Sequence, residues 1–432
     1  MLLLKNGRVL NPATQTDAVM DVLLDGETVA AMGPNLTPGP EDQVIELTPD
    51  HWVTPGLVDI HVHFRDPGRS DKETTATGAA AAIAGGFTTV CIMPNTDPVI
   101  DNLQTIQYVN QQAQKSTQIT IHPVAAATKG LAGEQLTPMG GLSANGAVAF
   151  TDDGHCLMNA KMMRLALEYA TMLGKPFVCH AEDMNLSHKG CMHEGYYSTL
   201  LGLPGIPSIA ESVIVARDIE LARLTGGHVH FAHVNTKESV ALIRQAKREG
   251  VRITAETAPH YLTLTDAAVT GYDPNFKMNG PLRAEADRQA LIAGIQDGTI
   301  DAIATDHAPH TPDEKRQEFD KAPFGVIGLE TSLGVMLTHF VHTGLITPMR
   351  LVELMAWGPA KALGLSCGNL AVGQRADVTV IAPNAPWVVN PSEFKSKSRN
   401  TPFAGMHLQG RPAVVVAGGQ VVLNNLLQPA LV

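Results

Sequence analysis

Four histidines and a handful of aspartates carry the chemistry open to this chain. His61 and His63 lie in Thr54-Pro55-Gly56-Leu57-Val58-Asp59-Ile60-His61-Val62-His63-Phe64-Arg65, a short apolar stretch rich in β-branched residues. Pro55-Gly56 punctuates its start and Asp66-Pro67-Gly68 its end, so it reads as a buried strand. Side chains two apart on a strand point the same way, so both imidazoles project together near its carboxyl end. Two convergent imidazoles are half of a metal site. His180, His233, Asp306 and the pair Asp152-Asp153 each end a similar apolar run. Nitrogen and carboxylate donors without thiolate suit zinc. Six are too many for one tetrahedral ion, and they divide naturally over two ions that share a carboxylate. Only one of Asp152 and Asp153 can point inward. Asp153 is preferred for its depth past the strand end, with Asp152 left open. Water held between two zinc ions is a nucleophile at neutral pH. Asp306 could accept its proton and pass it to a leaving group.

Those side chains need strands that all end on one rim. Strand candidates are 55–63, 87–93, 118–125, 146–151, 176–180, 228–234, 251–256 and 301–305. Helical patterns separate most of them, for instance Ala76 to Ala84, Asn159 to Leu173 and Lys237 to Glu249. Ser208-Ile209-Ala210-Glu211 has the spacing of a capping box that starts another. Alternating strands and helices of this number make an α/β fold, a (β/α)8 TIM-like barrel, with chemistry at the carboxyl ends of its strands. No G-x-G-x-x-G turn follows the first strand, which removes the usual reason to prefer an open doubly wound sheet. On the sixth strand, parity puts His233 on the face of Val229 and Phe231. It turns His228 and His230 outward, as structural residues. His122 and His155 also read as packing or surface residues.

Both chain ends read as short strands with glycine turns, such as Asn6-Gly7, Asp25-Gly26 and Gly418-Gly419. Neither has enough strands to stand alone. They are expected to pair into one composite β-sandwich: residues 1–53 and 366–432 flank a barrel of residues 54–365. At 432 residues, one large barrel and a smaller domain fit the length. A net charge of −11 offers no basic field for nucleic acid or an anionic membrane. An anionic substrate would need its own local cation. The cysteines, five and scattered, form no disulfide framework, so a reducing cytoplasm is expected.

Longer segments carry a resemblance. They are Val58 to Gly68, Met93-Pro94-Asn95-Thr96, Thr151-Asp152-Asp153-Gly154, Cys179-His180-Ala181-Glu182, Ala258-Pro259-His260-Tyr261, Asn279-Gly280-Pro281-Leu282-Arg283, Thr305 to His310 and Ala322-Pro323-Phe324-Gly325. In this order, over nearly the whole chain, they resemble the class I, bacterial-type dihydroorotases of the amidohydrolase superfamily. The resemblance implies zinc ligands His61, His63, Asp153, His180, His233 and Asp306, two ions bridged by Asp153, and Asp306 as the acid–base residue. It implies substrate contacts at Arg65, Asn95, Asn279, His310 and the Phe324-Gly325 backbone. It implies reversible interconversion of N-carbamoyl-L-aspartate and (S)-dihydroorotate in pyrimidine biosynthesis. It also implies a homo-oligomer, a dimer, and admits a complex with aspartate carbamoyltransferase. The residue types agree: Arg65 offers a bidentate fork to a carboxylate, and the two asparagines both donate and accept. Hydantoinases and allantoinases are the nearest alternative. In those relatives a carboxylated lysine on the fourth strand generally bridges the metals, and here that strand ends in Asp152-Asp153-Gly154. An inactive scaffold for aspartate carbamoyltransferase is a second alternative, opposed by the full ligand set. The polar run Thr311 to Glu318 is a candidate lid above the site.

Overall fold

Eight parallel strands close into a barrel. In the computed structural model, which describes residues 1–426, they are Leu57–Val62, Phe87–Ile92, Thr120–Pro123 continued by Ala125–Ala126, Phe150–Thr151, Phe177–Cys179, Val229–Phe231, Ile253–Thr257 and Ala302–Ile303. Each pairs in parallel with the next. The seam between last and first is closed by the His63 N–H donating to the His307 carbonyl at 2.9 Å. The buried Asp59 carboxylate reinforces it, accepting from Thr305 N–H at 3.2 Å, Thr305 Oγ1 at 2.6 Å and His61 N–H at 3.1 Å. Burial pushes the Asp59 carboxyl up to about 7 against the pull of these bonds.

The two strand faces bury different cores. Phe87, Phe150, Phe177, Val229 and Phe231 join the outer core with Leu167, Val240 and Ile243 of the surrounding helices. Val58, Ile60, Cys91, Val178, Ala232 and Ala304 fill the inside with Ala360 and Leu363. The helix Gly358–Leu363 plugs the amino end. A Cβ on Gly358 would lie 2.1 Å from the Asp301 carbonyl, so only glycine allows that approach. The sixth strand therefore corrects the parity argument. Val229 and Phe231 face outward, whereas His230 pairs with Val178 and Thr254 on the inward side. The regular strand stops at Phe231, and His233 reaches the rim through a left-handed backbone turn with φ 36°.

The helix Lys237–Arg248 starts on a Thr236 cap, close to the expected span. The helix Ile209–Thr225 starts after Ser208 as expected, but no capping box forms. Ser208 itself is in the helical region, and its partner Glu211 is turned inward. That carboxylate accepts from the N–H groups of Asn235 and Thr236 at 3.1 Å each and from Thr236 Oγ1 at 2.7 Å. A tertiary demand has taken the residue that the local pattern assigned to the cap.

The two ends do combine, as one continuous mixed sheet. Its order is Gln420–Asn424, His407–Ala417, Val378–Val388, Trp52–Pro55, Leu2–Asn11, Thr16–Asp25 and Thr28–Gly33, with Gln43–Glu46 also on Leu2–Asn11. Val378–Val388 joins the ends by pairing antiparallel to Trp52–Pro55. Leu4, Val22 and Val53 share a core with Val378 and Val414. The last part of the expected C-terminal β segment, 427–432, lies outside the described residues. Residues 389–405 leave the sheet altogether and run to the barrel mouth, where Ser396, Ser398 and Asn400 are buried. No helix among the described residues is long and apolar enough to cross a membrane.

Replacing Asp59 by alanine should cost about 3 kcal/mol or more, because two N–H groups and a hydroxyl lose their partner in a dry seam at ~1–3 kcal/mol each. The urea unfolding midpoint measures it. A loss below about 1 kcal/mol would show that the seam admits compensating water.

Candidate metal centre

The six residues read as ligands meet at the carboxyl rim. His61, His63, Asp153, His180, His233 and Asp306 are all buried. Local backbone features aim them. The first strand slips register against the second between Asp59 and Val62, so an extra residue bends it where the two histidines emerge. His233 and Asp306 have φ of 36° and 48°, a left-handed conformation that is costly for residues other than glycine.

Asp153 is the hub. Its Oδ1 lies 3.4 Å from His61 Nε2, 3.6 Å from His180 Nδ1 and 3.7 Å from His233 Nε2, while Oδ2 lies 3.6 Å from His63 Nε2. His63 Nε2 is also 3.0 Å from Asp306 Oδ1, and His180 Nδ1 is 2.8 Å from His233 Nε2. Two triads have the geometry for a cation, His61 with Asp153 and His233, and His61 with His63 and Asp306. His61 Nε2 and Asp153 Oδ1 are buried, face each other and have no hydrogen-bond partner. Such orphaned atoms are expensive unless something polar joins them, and a divalent cation fits between this donor set.

The electrostatics agree. Burial lowers the His61 pKa, but the carboxylates of Asp153 and Glu256 overcome it and hold the ring well above the usual range. Burial is likewise overcome at His180, which Asp153 and Glu182 push up to about 10. Burial raises Asp153, and His61 with its neighbours drives it well below the ordinary carboxylate range. Asp306 is also lowered, by His63 and His61 against burial. Carboxylates that hold protons on these imidazoles would hold a cation in their place.

A second layer orients the imidazoles, and the sequence reading missed most of it. Glu256 Oε1 accepts from His61 Nδ1 at 2.7 Å, and its Oε2 lies 3.1 Å from His230 Nε2. His230 Nδ1 in turn lies 2.8 Å from Thr254 Oγ1, so His230 is structural, but inside the barrel and tied to the site. Glu182 Oε2 lies 2.9 Å from His180 Nε2. Glu256 ends the seventh strand candidate, and a carboxylate at the end of an apolar run on the rim was the available signal. Asp152 holds a neighbouring loop, accepting from Ala127 N–H at 3.0 Å, Thr128 N–H at 2.9 Å and the Thr128 hydroxyl. That contact settles which of the two aspartates turns towards the histidines.

The residues read as substrate contacts line one cavity of about 260 Å³ with His63, His180 and His233. Arg65, with φ 61°, makes only a long bond to the Pro309 carbonyl at 3.4 Å among the described residues. Burial lowers its pKa to about 10. Asp66 is not its partner; that carboxylate accepts from Thr75 Oγ1 at 3.0 Å and Tyr108 at 3.2 Å. Asn95 Oδ1 accepts from His63 Nδ1 at 2.8 Å, and Asn279 Nδ2 donates to Glu182 at 3.0 Å, so both asparagines also brace imidazoles. The Phe324-Gly325 backbone is at the cavity but engaged. Phe324 O accepts from His310 Nε2 at 2.7 Å, and Gly325 N–H donates to the Lys277 carbonyl at 3.0 Å.

The loop above is pinned from beneath. The polar run contains a helical turn, Pro312–Lys315, and buried Lys315 donates to the carbonyls of Pro274 and Pro323 at 2.9 Å each. Buried Lys277 donates to Phe319, Asp320 and Ala322 carbonyls at 2.6–3.1 Å. Asn400, from the segment that left the terminal sheet, donates to the Ala308 and Gly325 carbonyls at 3.0 and 3.1 Å.

Solved structures share this architecture. The L-hydantoinase (dihydropyrimidinase) from Arthrobacter aurescens superposes with a TM-score of 0.88 at 26% identity, over 98% of this chain and 96% of that one. The D-hydantoinase (dihydropyrimidinase) from a Thermus species gives 0.84 at 25% identity, over 98% and 96%. Fold and site together define a metal-dependent cyclic amide hydrolase on an amidohydrolase barrel. The family described as dihydro-orotase-like matches residues 51–239. Proteins named dihydroorotase from Pelotomaculum thermopropionicum and Citrifermentans bemidjiense are each 49% identical, over 425 and 421 residues, covering 98% of this chain and 99% of theirs. This chain belongs to the dihydroorotase family.

Glu256→Ala should weaken metal binding by roughly 10–100-fold while the fold persists, because His61 loses the partner that fixes its Nε2 towards Asp153. Competition with a chromogenic chelator measures it. Unchanged affinity would remove Glu256 from the support of the site.

Proposed function

We propose that this protein is a dihydroorotase, interconverting (S)-dihydroorotate and N-carbamoyl-L-aspartate for pyrimidine biosynthesis. One observation carries the choice over a hydantoinase. Arg65 is a cation at the cavity wall with no carboxylate pairing it among the described residues. A half-buried guanidinium with no carboxylate partner is costly, and a substrate carboxylate would relieve it through a bidentate contact. A neutral cyclic amide gives no such return. His310, with Asn95 and Asn279, completes the proposed substrate wall, alongside the Phe324-Gly325 segment.

The proposed ligands are His61, His63 and Asp306 for one zinc ion, His180 and His233 for a second, with Asp153 shared. Its two oxygens face different imidazoles, which supports the bridge. When bound, zinc polarises the amide carbonyl and lowers the pKa of water. Asp306 then takes the proton of the attacking water as the oxygen adds to the ring amide carbon. It delivers that proton to the departing nitrogen as the carbon–nitrogen bond breaks. Ring closure reverses each move and releases water. Asp306 is placed for the task, at the cavity wall with its Oδ1 3.0 Å from His63 Nε2, and His63 and His61 keep it in the charged form that a proton acceptor must have. The proposal includes the cytoplasm, supported by five free thiols. It also includes a homodimer, which sedimentation tests, and admits a contact with aspartate carbamoyltransferase.

Chelation should abolish turnover of dihydroorotate and zinc should restore it; full turnover in protein shown by elemental analysis to be metal-free would end this reading. Asp306→Asn should keep metal content and KM near wild type while kcat falls by ~10²–10⁴ in both directions. At matched zinc occupancy, a variant within about threefold of wild type would assign the proton to another group. Arg65→Lys should raise KM for dihydroorotate far more than for a neutral hydantoin, since lysine cannot form the fork. Equal effects on both would take Arg65 out of the carboxylate pocket.

A further inference from the structure

We propose that Lys72 is a positioning residue of the substrate-carboxylate pocket, holding His310 as a neutral imidazole that donates from Nε2. The inference rests on the dihydroorotase reading above and names a residue that does not itself line the cavity.

The geometry fixes the tautomer. His310 is buried at the cavity wall. Its Nε2 lies 2.7 Å from the Phe324 carbonyl, which can only accept. Its Nδ1 lies 3.2 Å from Lys72 Nζ, which can only donate. A single arrangement satisfies both partners, with the proton on Nε2 and a lone pair on Nδ1. Glu314 Oε1 orients the ammonium at 2.9 Å. The other Glu314 oxygen is 3.4 Å from Nδ1, but it already accepts from Thr311 N–H at 3.0 Å and Thr311 Oγ1 at 3.2 Å. The Lys72 backbone is held as well, since Ser398 Oγ donates to its carbonyl at 2.9 Å. Burial and the cations Arg65, Lys72 and Lys315 push the His310 pKa down to about 3, so the ring stays neutral.

A carboxylate arriving beside Arg65 meets a ready N–H on His310, shared with the Phe324 carbonyl and polarised by the ammonium behind the ring. Without Lys72, the Nδ1 lone pair loses its donor and the proton can move there, towards Glu314. Nε2 then turns a lone pair towards the carboxylate, which repels it. Binding of the charged substrate suffers before chemistry does.

The test uses zinc-loaded enzyme labelled with nitrogen-15 histidine, with the His310 signals assigned by their loss in His310→Gln. The wild type should show the Nε2–H tautomer at neutral pH, and Lys72→Met should shift it towards Nδ1–H. KM for dihydroorotate should rise about tenfold, the worth of one charge-assisted hydrogen bond, with kcat held within about threefold. Lys72→Arg should restore both signatures. An Nδ1–H or doubly protonated ring in the wild type overturns the proposal, and that measurement decides even if Lys72→Met does not fold. Lys72→Met with unchanged tautomer and KM overturns it too, as does a loss confined to kcat. Wild-type enzyme that does not turn over dihydroorotate removes the substrate named above, and the nitrogen signature still decides the tautomer.

Discussion

A carboxylate buried among four imidazoles is the constraint on which the rest of the structure depends. Asp153 is buried, and the charge it carries must be answered within a few ångströms. Three strands supply the four histidines for that purpose, the first giving His61 and His63, the fifth His180 and the sixth His233. The barrel provides the radial convergence. Its inner face is filled below by small apolar side chains such as Ala232 and Ala304, so the polar cluster sits on a packed floor.

Convergence alone leaves each ring free to rotate, and the second layer removes that freedom. Glu256 fixes His61 through Nδ1, Asn95 fixes His63 through Nδ1, and Glu182 fixes His180 through Nε2. Three imidazoles thus present three chosen nitrogens inwards. The Asp59 contacts belong to the same logic, because they lock the seam that carries His61 to the strand that carries Asp306. Metal affinity and barrel closure share one network, so stability and chemistry are not separable at this rim.

Elements that follow local periodicity were legible in the sequence. The eight strands, the helix Lys237–Arg248 and the pairing of the two chain ends follow from apolar runs and turn residues. The gathering of six donors followed from strand ends alone. Parity failed where the backbone leaves regular strand. His233 lies past the last paired residue, in a left-handed turn that no pattern announces, so the inward face of the sixth strand was read backwards. Glu211 was read as a cap because local spacing said so, and the loop after His233 claimed it. The segment around Asn400 lay within the span assigned to the terminal sheet, and it alternates as a strand would, with Ser396, Ser398 and Asn400 buried between exposed Lys395, Lys397 and Arg399. What sets it apart is that its inward residues are polar, which suits a buttress that hydrogen-bonds loops rather than a strand that fills a core. Their partners are far away in sequence, at Lys72, Ala308 and Gly325.

That distance explains how the substrate wall is built. Arg65, His310 and the Phe324-Gly325 segment are all on loops, where backbone groups need partners and side chains gain reach. Loops would blur the wall if they moved independently. They are tied instead by side chains acting on main-chain carbonyls. Lys277 and Lys315 bind the 319–323 turn to the segment that bears Asn279, and Asn400 binds the loops of His310 and Gly325 to each other. Each tie buries a lysine or an amide, which is costly unless every donor is used, and several carbonyls meet each lysine. A buried ammonium shared among carbonyls adds no competing carboxylate near Arg65. The corner therefore gathers Arg65, Lys72 and Lys315 around His310 inside a protein of net charge −11, and an anionic ligand would meet a local attraction beside the proposed metal ligands.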